Sequence, residues 1–325
     1  RTAGLLAYSR RECKVTSKRV LLIDVDSKIP NLALMKLSAS HKARGDEVGF
    51  NVTNPTHVYA SVVFKKNKHR VDGLRHYYPD AEIMVGGSGY DLAATLPAEV
   101  ERLTPDYSLY PGLDYSMGFT SRGCVRNCYF CIVPEKEGKY RRVQHPSEFV
   151  QHDKVKLLDN NWYADYDWFF ETSDWLIKNN VAVDVTQGMD IRLLTPEIAA
   201  QLKRLRWWRP MHFAFDDMSS KEAVLRGLDI LTAAGIDTKR NVSIYVYCHD
   251  DAHYDDAVER CRILKAARAT PYVMCNIDRP RTKRMRQLQR WTARPHLFWS
   301  CDIADYDPTI RGHIGMVPEG RRKEA

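Results

Sequence analysis

Apolar residues come in short, regularly spaced bursts, and their period divides the chain in two. The run Val20-Leu21-Leu22-Ile23-Asp24-Val25 is a short apolar segment of the kind a buried parallel strand presents. Pro30 and Asn31 open a helix with Leu32, Met35 and Ala39 along one face, and Gly45 closes it. Strand-like runs recur at Glu47–Val52, His57–Phe64 and Glu82–Val85, with a helix expected around Lys68–Tyr78 between the last two. Strands alternating with helices at this length predict a small doubly wound parallel sheet over residues 19–104. Residues 1–18 are basic, lack apolar periodicity and read as a loosely held tail.

A short helix over Pro97–Leu103 and a connector through Pro105 and Pro111 lead into a second domain, expected over residues 105–278. It starts with a strand at Ser116–Thr120. Further strands are expected at Val155–Leu158, Ala182–Thr186, Met211–Phe215, Asn241–Tyr247 and Pro271–Cys275. Between them lie helices with apolar faces at Ile198, Leu202 and Leu205, and at Val224, Leu228 and Leu231. The fold class is therefore α/β, a doubly wound domain followed by six strand–helix units of a partial (β/α) barrel, with no low-complexity tract or solenoid repeat. Residues 279–325 form a basic extension. Met285, Leu288 and Trp291 recur there every three residues, so a helix laying its apolar edge on the barrel is preferred to a nucleic-acid surface. Trp207 and Trp208, flanked by Arg206 and Arg209, read the same way.

Composition narrows the class. Hydrophobic content of 44% and charged content of 28% over 325 residues are ordinary for a globular protein. No apolar stretch reaches the about 18 residues that span a bilayer, which argues against a membrane protein. The formal charge of +8 favours acidic partners, either nucleic acid or an acidic redox protein, over the plain reading of a basic surface without a partner only weakly. With 8 cysteines and no secretory signal, a disulfide framework is not expected, and a reducing cytoplasm is.

The chemistry concentrates in Gly123-Cys124-Val125-Arg126-Asn127-Cys128-Tyr129-Phe130-Cys131, with three residues and then two between the thiols. Three thiolates can hold three irons of a [4Fe–4S] cubane and leave the fourth iron open, whereas an electron-transfer cluster normally takes four cysteines. The next cysteine is Cys248. A zinc site would need a second knuckle, and none follows; chance spacing is the other alternative. The run resembles the CxxxCxΦC signature of the radical S-adenosylmethionine (radical SAM) superfamily, with Phe130 as the aromatic before the last cysteine. The resemblance implies a cluster on Cys124, Cys128 and Cys131. It also implies S-adenosylmethionine lying against the Phe130 backbone and its reductive cleavage to methionine and a 5′-deoxyadenosyl radical. The electron donor would be an acidic flavodoxin or ferredoxin.

In parallel barrels, reactive groups gather at the C-terminal ends of strands. The second barrel strand ends Leu158-Asp159-Asn160-Asn161, where the superfamily binds the amino group of S-adenosylmethionine. Asp159 and Asn160 are candidates, with helix capping the alternative for both. The third strand ends Gln187-Gly188-Met189-Asp190-Ile191-Arg192, which resembles the Gln-Gly-x-Asp-x-Arg pattern of several radical SAM groups. Arg192 suits the methionyl carboxylate, and Asp190 or Gln187 the ribose hydroxyls. The alternative is an Asp190–Arg192 pair that stabilises the loop. Asp216-Asp217 either contacts ligand or caps a helix. Cys248-His249-Asp250-Asp251 looks superficially metal-like but reads better as a solvated loop. Cys248, Cys261, Cys275 and Cys301 lack compact spacing and are read as structural rather than as ligands of an auxiliary cluster, with Cys261 on a helical face with Val258 and Leu264.

The first domain is similar to the cobalamin-binding domains attached to many radical SAM enzymes, which carry D-x-H-x-x-G, then S-x-L, then G-G. Here the corresponding segments are Asp26-Ser27-Lys28-Ile29-Pro30-Asn31, Ser61-Val62-Val63 and Gly86-Gly87. Lys28 replaces the cobalt-ligating histidine, and an ammonium has no free lone pair. Cobalamin bound without a protein ligand and a Rossmann-like shell that has lost the cofactor are the two readings, the second slightly preferred. The resemblance implies an enzyme modifying an unidentified substrate between barrel mouth and first domain, by methylation if a corrinoid is present. A methylthiotransferase is expected less, because that family adds a C-terminal RNA-binding β domain and few residues follow Cys301. The non-enzymatic alternative is an iron–sulfur, SAM-binding redox sensor without turnover.

Overall fold

Two units, divided between Leu109 and Tyr110, make up the computed structural model, which describes residues 17–309. Apart from Ser17 and Lys18, the expected basic tail lies outside the described residues, as does the chain beyond Thr309.

In the first unit, β1 (Arg19–Asp24) runs into α1 (Leu32–Ala43), followed by β2 (Glu47–Gly49) and β3 (His57–Ser61). Then come α2 (Leu74–Tyr77), β4 (Glu82–Gly86) and α3 (Ala98–Glu101). The four strands form one parallel sheet in the order β2-β1-β3-β4. Val20, Leu22, Val58 and Ala60 are buried, as a sheet covered on both faces requires. Asn31 caps α1 by accepting from Leu34 N–H at 3.2 Å. Two expectations change. β2 stops at Gly49 because the chain turns at once, through Asn54 with φ 46° and then Pro55. The helix expected over Lys68–Tyr78 is broken at Gly73 into a 3₁₀ turn over Lys65–Val71 and the short α2. Only Val71 and Leu74 of those two pieces are buried, too few to hold a continuous helix.

The second unit begins with β5 (Ser116–Gly118), β6 (Ser121–Arg122), α4 (Val133–Lys136) and β7 (Arg141–Arg142). It continues through β8 (Lys154–Leu157), α5 (Tyr166–Lys178), β9 (Ala182–Val185), α6 (Pro196–Arg204) and β10 (Met211–Ala214). After these come α7 (Lys221–Ala233), α8 (Thr238–Asn241), β11 (Val242–Cys248), α9 (Tyr254–Ala266) and β12 (Thr270–Cys275). Two helices, α10 (Lys283–Thr292) and α11 (Pro295–Ser300), complete it. The strands β5-β8-β9 and β10-β11-β12 form two three-stranded parallel sheets in chain order. Between β9 and β10 the described contacts are single bridges, Val183 with Trp207 and Met189 with Phe213, and among the described residues no ladder joins β12 back to β5, so the six-unit run stays open.

Alternation along each strand sorts the faces. Val155, Leu157, Val183, Val185, Met211, Phe213, Ile244, Val246 and Val273 pack outward into one core with the helices. The helical faces read from the sequence supply the other half: Ile198 and Leu202, Val224 and Leu228, Val258 and Cys261, Met285 and Trp291. Each fully buried aliphatic side chain contributes about 1.5–3 kcal/mol. The opposite face of the strands is polar, with Lys156 paired to Asp184 and the ring of His212 stacked on Tyr245.

One buried cation holds the strand ends together. Arg260 of α9 is 1% exposed and donates to the carbonyls of Phe215 at 2.7 Å and Tyr247 at 2.9 Å. Its Nε also donates to Asp256 at 2.9 Å. Substituting Arg260→Met leaves those carbonyls without their donor. We expect a stability loss of about 2–4 kcal/mol, read as a lower denaturant midpoint.

Candidate cluster and ligand site

The cysteine loop leaves the C-terminal end of β5 and is bracketed by the antiparallel pair β6–β7, Ser121 opposite Arg142 and Arg122 opposite Arg141. Gly123 takes φ +75°, and a Cβ there would lie 2.2 Å from the Lys139 carbonyl oxygen, so a side chain is excluded. Cys124 N–H bonds the Gly138 carbonyl at 3.3 Å, and Cys131 N–H the Cys128 carbonyl at 3.0 Å. Two backbone amides face sulfur, Arg126 N–H toward Cys124 Sγ at 3.4 Å and Val133 N–H toward Cys131 Sγ at 3.5 Å. Cys124 and Cys128 are half-buried and Cys131 is exposed. Burial pushes the Cys128 and Cys131 thiols up, opposed by the Arg192 charge at Cys128 and by the Val133 amide at Cys131. Among the described residues, no three His, Cys, Asp or Glu side chains are gathered as a single-ion site. The thiolates of a cubane each bind a different iron.

Three carboxylates tie this loop to the strand ends. Glu137 accepts from Gly123 N–H at 2.9 Å, from Asn160 Nδ2 at 2.8 Å and from Arg122 at 3.4 Å. Asp190 accepts from Arg126 Nε at 2.5 Å and, in a fork, from Arg192 Nε at 2.6 Å and its terminal nitrogen at 3.1 Å. Burial works against its charge, but the two guanidiniums hold Asp190 below the usual carboxylate range. Asp159 is fully buried. It accepts from the backbone amides of Thr120 and Ser121 at 2.9 and 2.7 Å and from their hydroxyls at 2.5 and 2.6 Å. Burial outweighs those four bonds and pushes its pKa up.

This corrects one expectation. Asp159 has both oxygens engaged away from solvent, so it neither accepts a ligand ammonium nor caps a helix; it clamps the start of the cysteine loop. Asn160 gives its amide to Glu137, and Gln187 is exposed. The Asp190–Arg192 ion pair exists as the alternative reading had it, yet the Arg192 charge also acts on Cys128. Phe130 stacks on Tyr247 with ring centres 4.2 Å apart, and Tyr129 meets His249 edge-on at 5.9 Å.

Asp216 and Asp217 separate. Asp217 caps a 3₁₀ turn through Ser219 N–H at 2.7 Å. Asp216 turns inward, accepts Tyr247 N–H at 3.0 Å, and is pushed up to about 6 by burial against that bond and the Arg260 and Arg192 charges. The Cys248-His249-Asp250-Asp251 stretch is used internally. His249 pairs with the Tyr247 hydroxyl at 3.1 Å, Asp250 with His253 at 2.6 Å, and Asp251 with Arg284 and Thr282 at 2.7 and 2.6 Å. Cys261 and Cys301 are buried in the core. Sequence reasoning missed Glu137 and Arg126, which carry no motif of their own. It also missed Tyr247, which the alternation of β11 places on the inner face with Tyr245.

In the first unit, the residues aligned with the cobalamin motif bond to one another. Asp26 accepts from Val63 N–H at 2.7 Å, Phe64 N–H at 3.0 Å and Asn67 Nδ2 at 2.8 Å. Asn31 Nδ2 donates to Ser27 and Ser61 at 2.9 and 2.8 Å. At Gly87, φ +98°, a Cβ would lie 2.3 Å from the Val62 carbonyl oxygen, so that glycine serves the chain's own close approach. With Lys28 exposed in the histidine position, these residues do not fit a protein-ligated cobalt.

No family model matches the chain. It is similar to the ribosomal protein uS12 methylthiotransferase RimO of Ruegeria pomeroyi, 27% identical over 120 residues, which is 37% of this chain and 24% of that protein. The chain thus matches about a quarter of the length of that curated relative. Among solved structures it is similar to the radical SAM methyltransferase TsrM from Kitasatospora setae, determined with cobalamin and a [4Fe–4S] cluster bound. The TM-score is 0.57 at 12% identity, covering 80% of this chain and 75% of that one. What the likeness shows is the fold, a parallel α/β unit ahead of an open run of β/α units. The two relatives are a methyltransferase and a methylthiotransferase, so they straddle the subclasses weighed from the sequence.

Two outcomes test the site. Glu137→Ala orphans the Gly123 amide, at about 1–3 kcal/mol of loop stability; iron and sulfide retained after anaerobic reconstitution should fall, and Glu137→Gln should restore part of it. Asp216 holds its proton up to about 6 when folded, against 3.8 ordinarily, so between those values the folded state binds the extra proton. Stability therefore falls as pH rises through that window, by on the order of 2–3 kcal/mol. Denaturation of the cluster-free protein across pH 4–7 should lose that slope in Asp216→Asn.

Proposed function

We propose that this protein is a radical SAM enzyme that holds a [4Fe–4S] cluster on Cys124, Cys128 and Cys131 and cleaves S-adenosylmethionine reductively to modify a substrate. The observation that carries this reading is a three-thiol loop, with no fourth cysteine of its own, pinned by buried carboxylates at the C-terminal strand ends. The donor set fits the group: three thiols on one loop, amides directed at two sulfurs, and a guanidinium charge acting on the third. Bound there, the cluster would supply the electron for reductive cleavage of S-adenosylmethionine to methionine and a 5′-deoxyadenosyl radical.

The protein's part is positioning. Arg192 stays charged, braced by Asp190 and free along its other edge to fork onto the methionyl carboxylate. Asp190 acts through Arg126 and Arg192. Asp216 takes the acidic role that the sequence assigned to Asp159, accepting from an N–H of the substrate amino group. Asn160 and Gln187 serve the remaining polar groups. The Phe130 backbone lies along the adenine, its ring held by Tyr247. The electron comes from an acidic flavodoxin- or ferredoxin-like donor, which the +8 charge suits. No helix among the described residues is long and apolar enough to cross a membrane; we place the protein in the cytoplasm, where an oxygen-sensitive cluster persists. Methylation with cobalamin is the subclass that the likeness to TsrM supports, and no step is assigned to cobalt, for which Lys28 offers no ligand.

Anaerobically reconstituted protein given dithionite and S-adenosylmethionine should form 5′-deoxyadenosine and methionine, and Cys124→Ala should abolish both. Bound zinc would overturn the cluster. An intact cluster that leaves S-adenosylmethionine whole would favour the sensor reading.

A further inference from the structure

β11 and β12 end in Cys248 and Cys275, register partners on neighbouring parallel strands. Such partners lie about 4.8 Å apart, within the about 4.4–6.8 Å between Cα atoms that a disulfide spans. They also share a face of the sheet: Val246 and Val273, two residues earlier in each strand, both sit in the helix-side core.

The pair is unequal. Cys248 is buried, its thiol directed at the Asp250 carbonyl at 3.5 Å. Cys275 is partly exposed on β12, the outer strand of its sheet, near Arg281. The neighbouring Cys248 thiol lowers the Cys275 thiol from its ordinary value, and the Cys275 sulfur together with burial raises that of Cys248. An accessible, acidified thiol beside a buried partner is the arrangement of an attacking and a resolving cysteine.

We propose that Cys248 and Cys275 form a reversible dithiol–disulfide site, separate from the cluster cysteines, in which Cys275 attacks and Cys248 resolves. The co-reactant is a low-molecular-weight disulfide of the glutathione class. The Cys275 thiolate attacks one of its sulfurs, forming a mixed disulfide and expelling one thiolate. Cys248 then attacks the Cys275 sulfur, its proton passing to that thiolate, and the second small thiolate leaves and is protonated from solvent. Two protein thiols are oxidised to one disulfide while one small disulfide is reduced to two thiols. The bond staples β12 to β11 one residue beyond Tyr247, whose ring carries Phe130 of the cysteine loop.

The reconstituted holoprotein, equilibrated anaerobically with reduced and oxidised glutathione at a series of ratios, is quenched with iodoacetamide and digested for mass spectrometry. A Cys248–Cys275 cross-linked peptide should grow with the oxidised fraction and vanish in excess reduced glutathione. Cys248→Ser should stop at a Cys275–glutathione mixed disulfide, and Cys275→Ser should leave Cys248 without glutathione. Absence of the cross-link at every ratio, or independent modification of the two thiols, overturns the proposal. The wild-type peptide alone decides it if a variant fails to fold.

Discussion

Asp159 is a carboxylate withdrawn from water whose four hydrogen-bond donors all belong to Thr120 and Ser121, and the position of the cysteine loop follows from that arrangement. A buried carboxylate short of donors is expensive. The lowest-energy path for the chain leaving β5 is therefore the one that brings both amides and both hydroxyls to the end of β8. Glu137 repeats the device at the far side of the loop by taking the Gly123 amide and the Asn160 side chain together. The three thiols hang between two anchored points, so the loop that carries them is held at both ends.

Charge is arranged around those anchors. Arg126 and Arg192 converge on Asp190, so the strand-end turn keeps one carboxylate ionised and two guanidiniums oriented. Arg192 works against the rise that burial imposes on the Cys128 thiol, and thiolates are the form that binds iron. Asp216 stands apart as a carboxyl with no bonded cation among the described residues, and burial raises it to about 6. One side of the loop thus carries fixed positive charge and the other an acid with a movable proton.

Behind this front, the strands of the second unit are held by side chains that never reach it. Arg260 gathers the ends of β10 and β11 from the α9 side, and Asp251 ties the following turn to α10 through Arg284. The basic residues of α10 face outward while Met285, Leu288 and Trp291 fill the core, so its positive charge belongs to a packing helix. The first unit follows the same economy: Asp26 crosses from the β1 loop to the β3 loop and satisfies amides at the strand ends from within the chain.

Local pattern was enough for the strand and helix identities, for the helical faces at Ile198, Val224 and Met285, and for the cysteine signature, because periodicity and ligand spacing are properties of neighbouring residues. The break at Gly73, the two-residue pair β6–β7 and the split roles of Asp216 and Asp217 lay beyond it, since each depends on which groups meet across the fold. Asp159 shows the difference most plainly. Its place after a barrel strand marked it as important, and only the burial of its oxygens against Thr120 and Ser121 decided that it holds the loop rather than the ligand. Cys248 and Cys275, far apart in the chain, became a pair through strand register alone. A sequence states what each residue can bond; the tertiary structure decides which partner reaches it before water does.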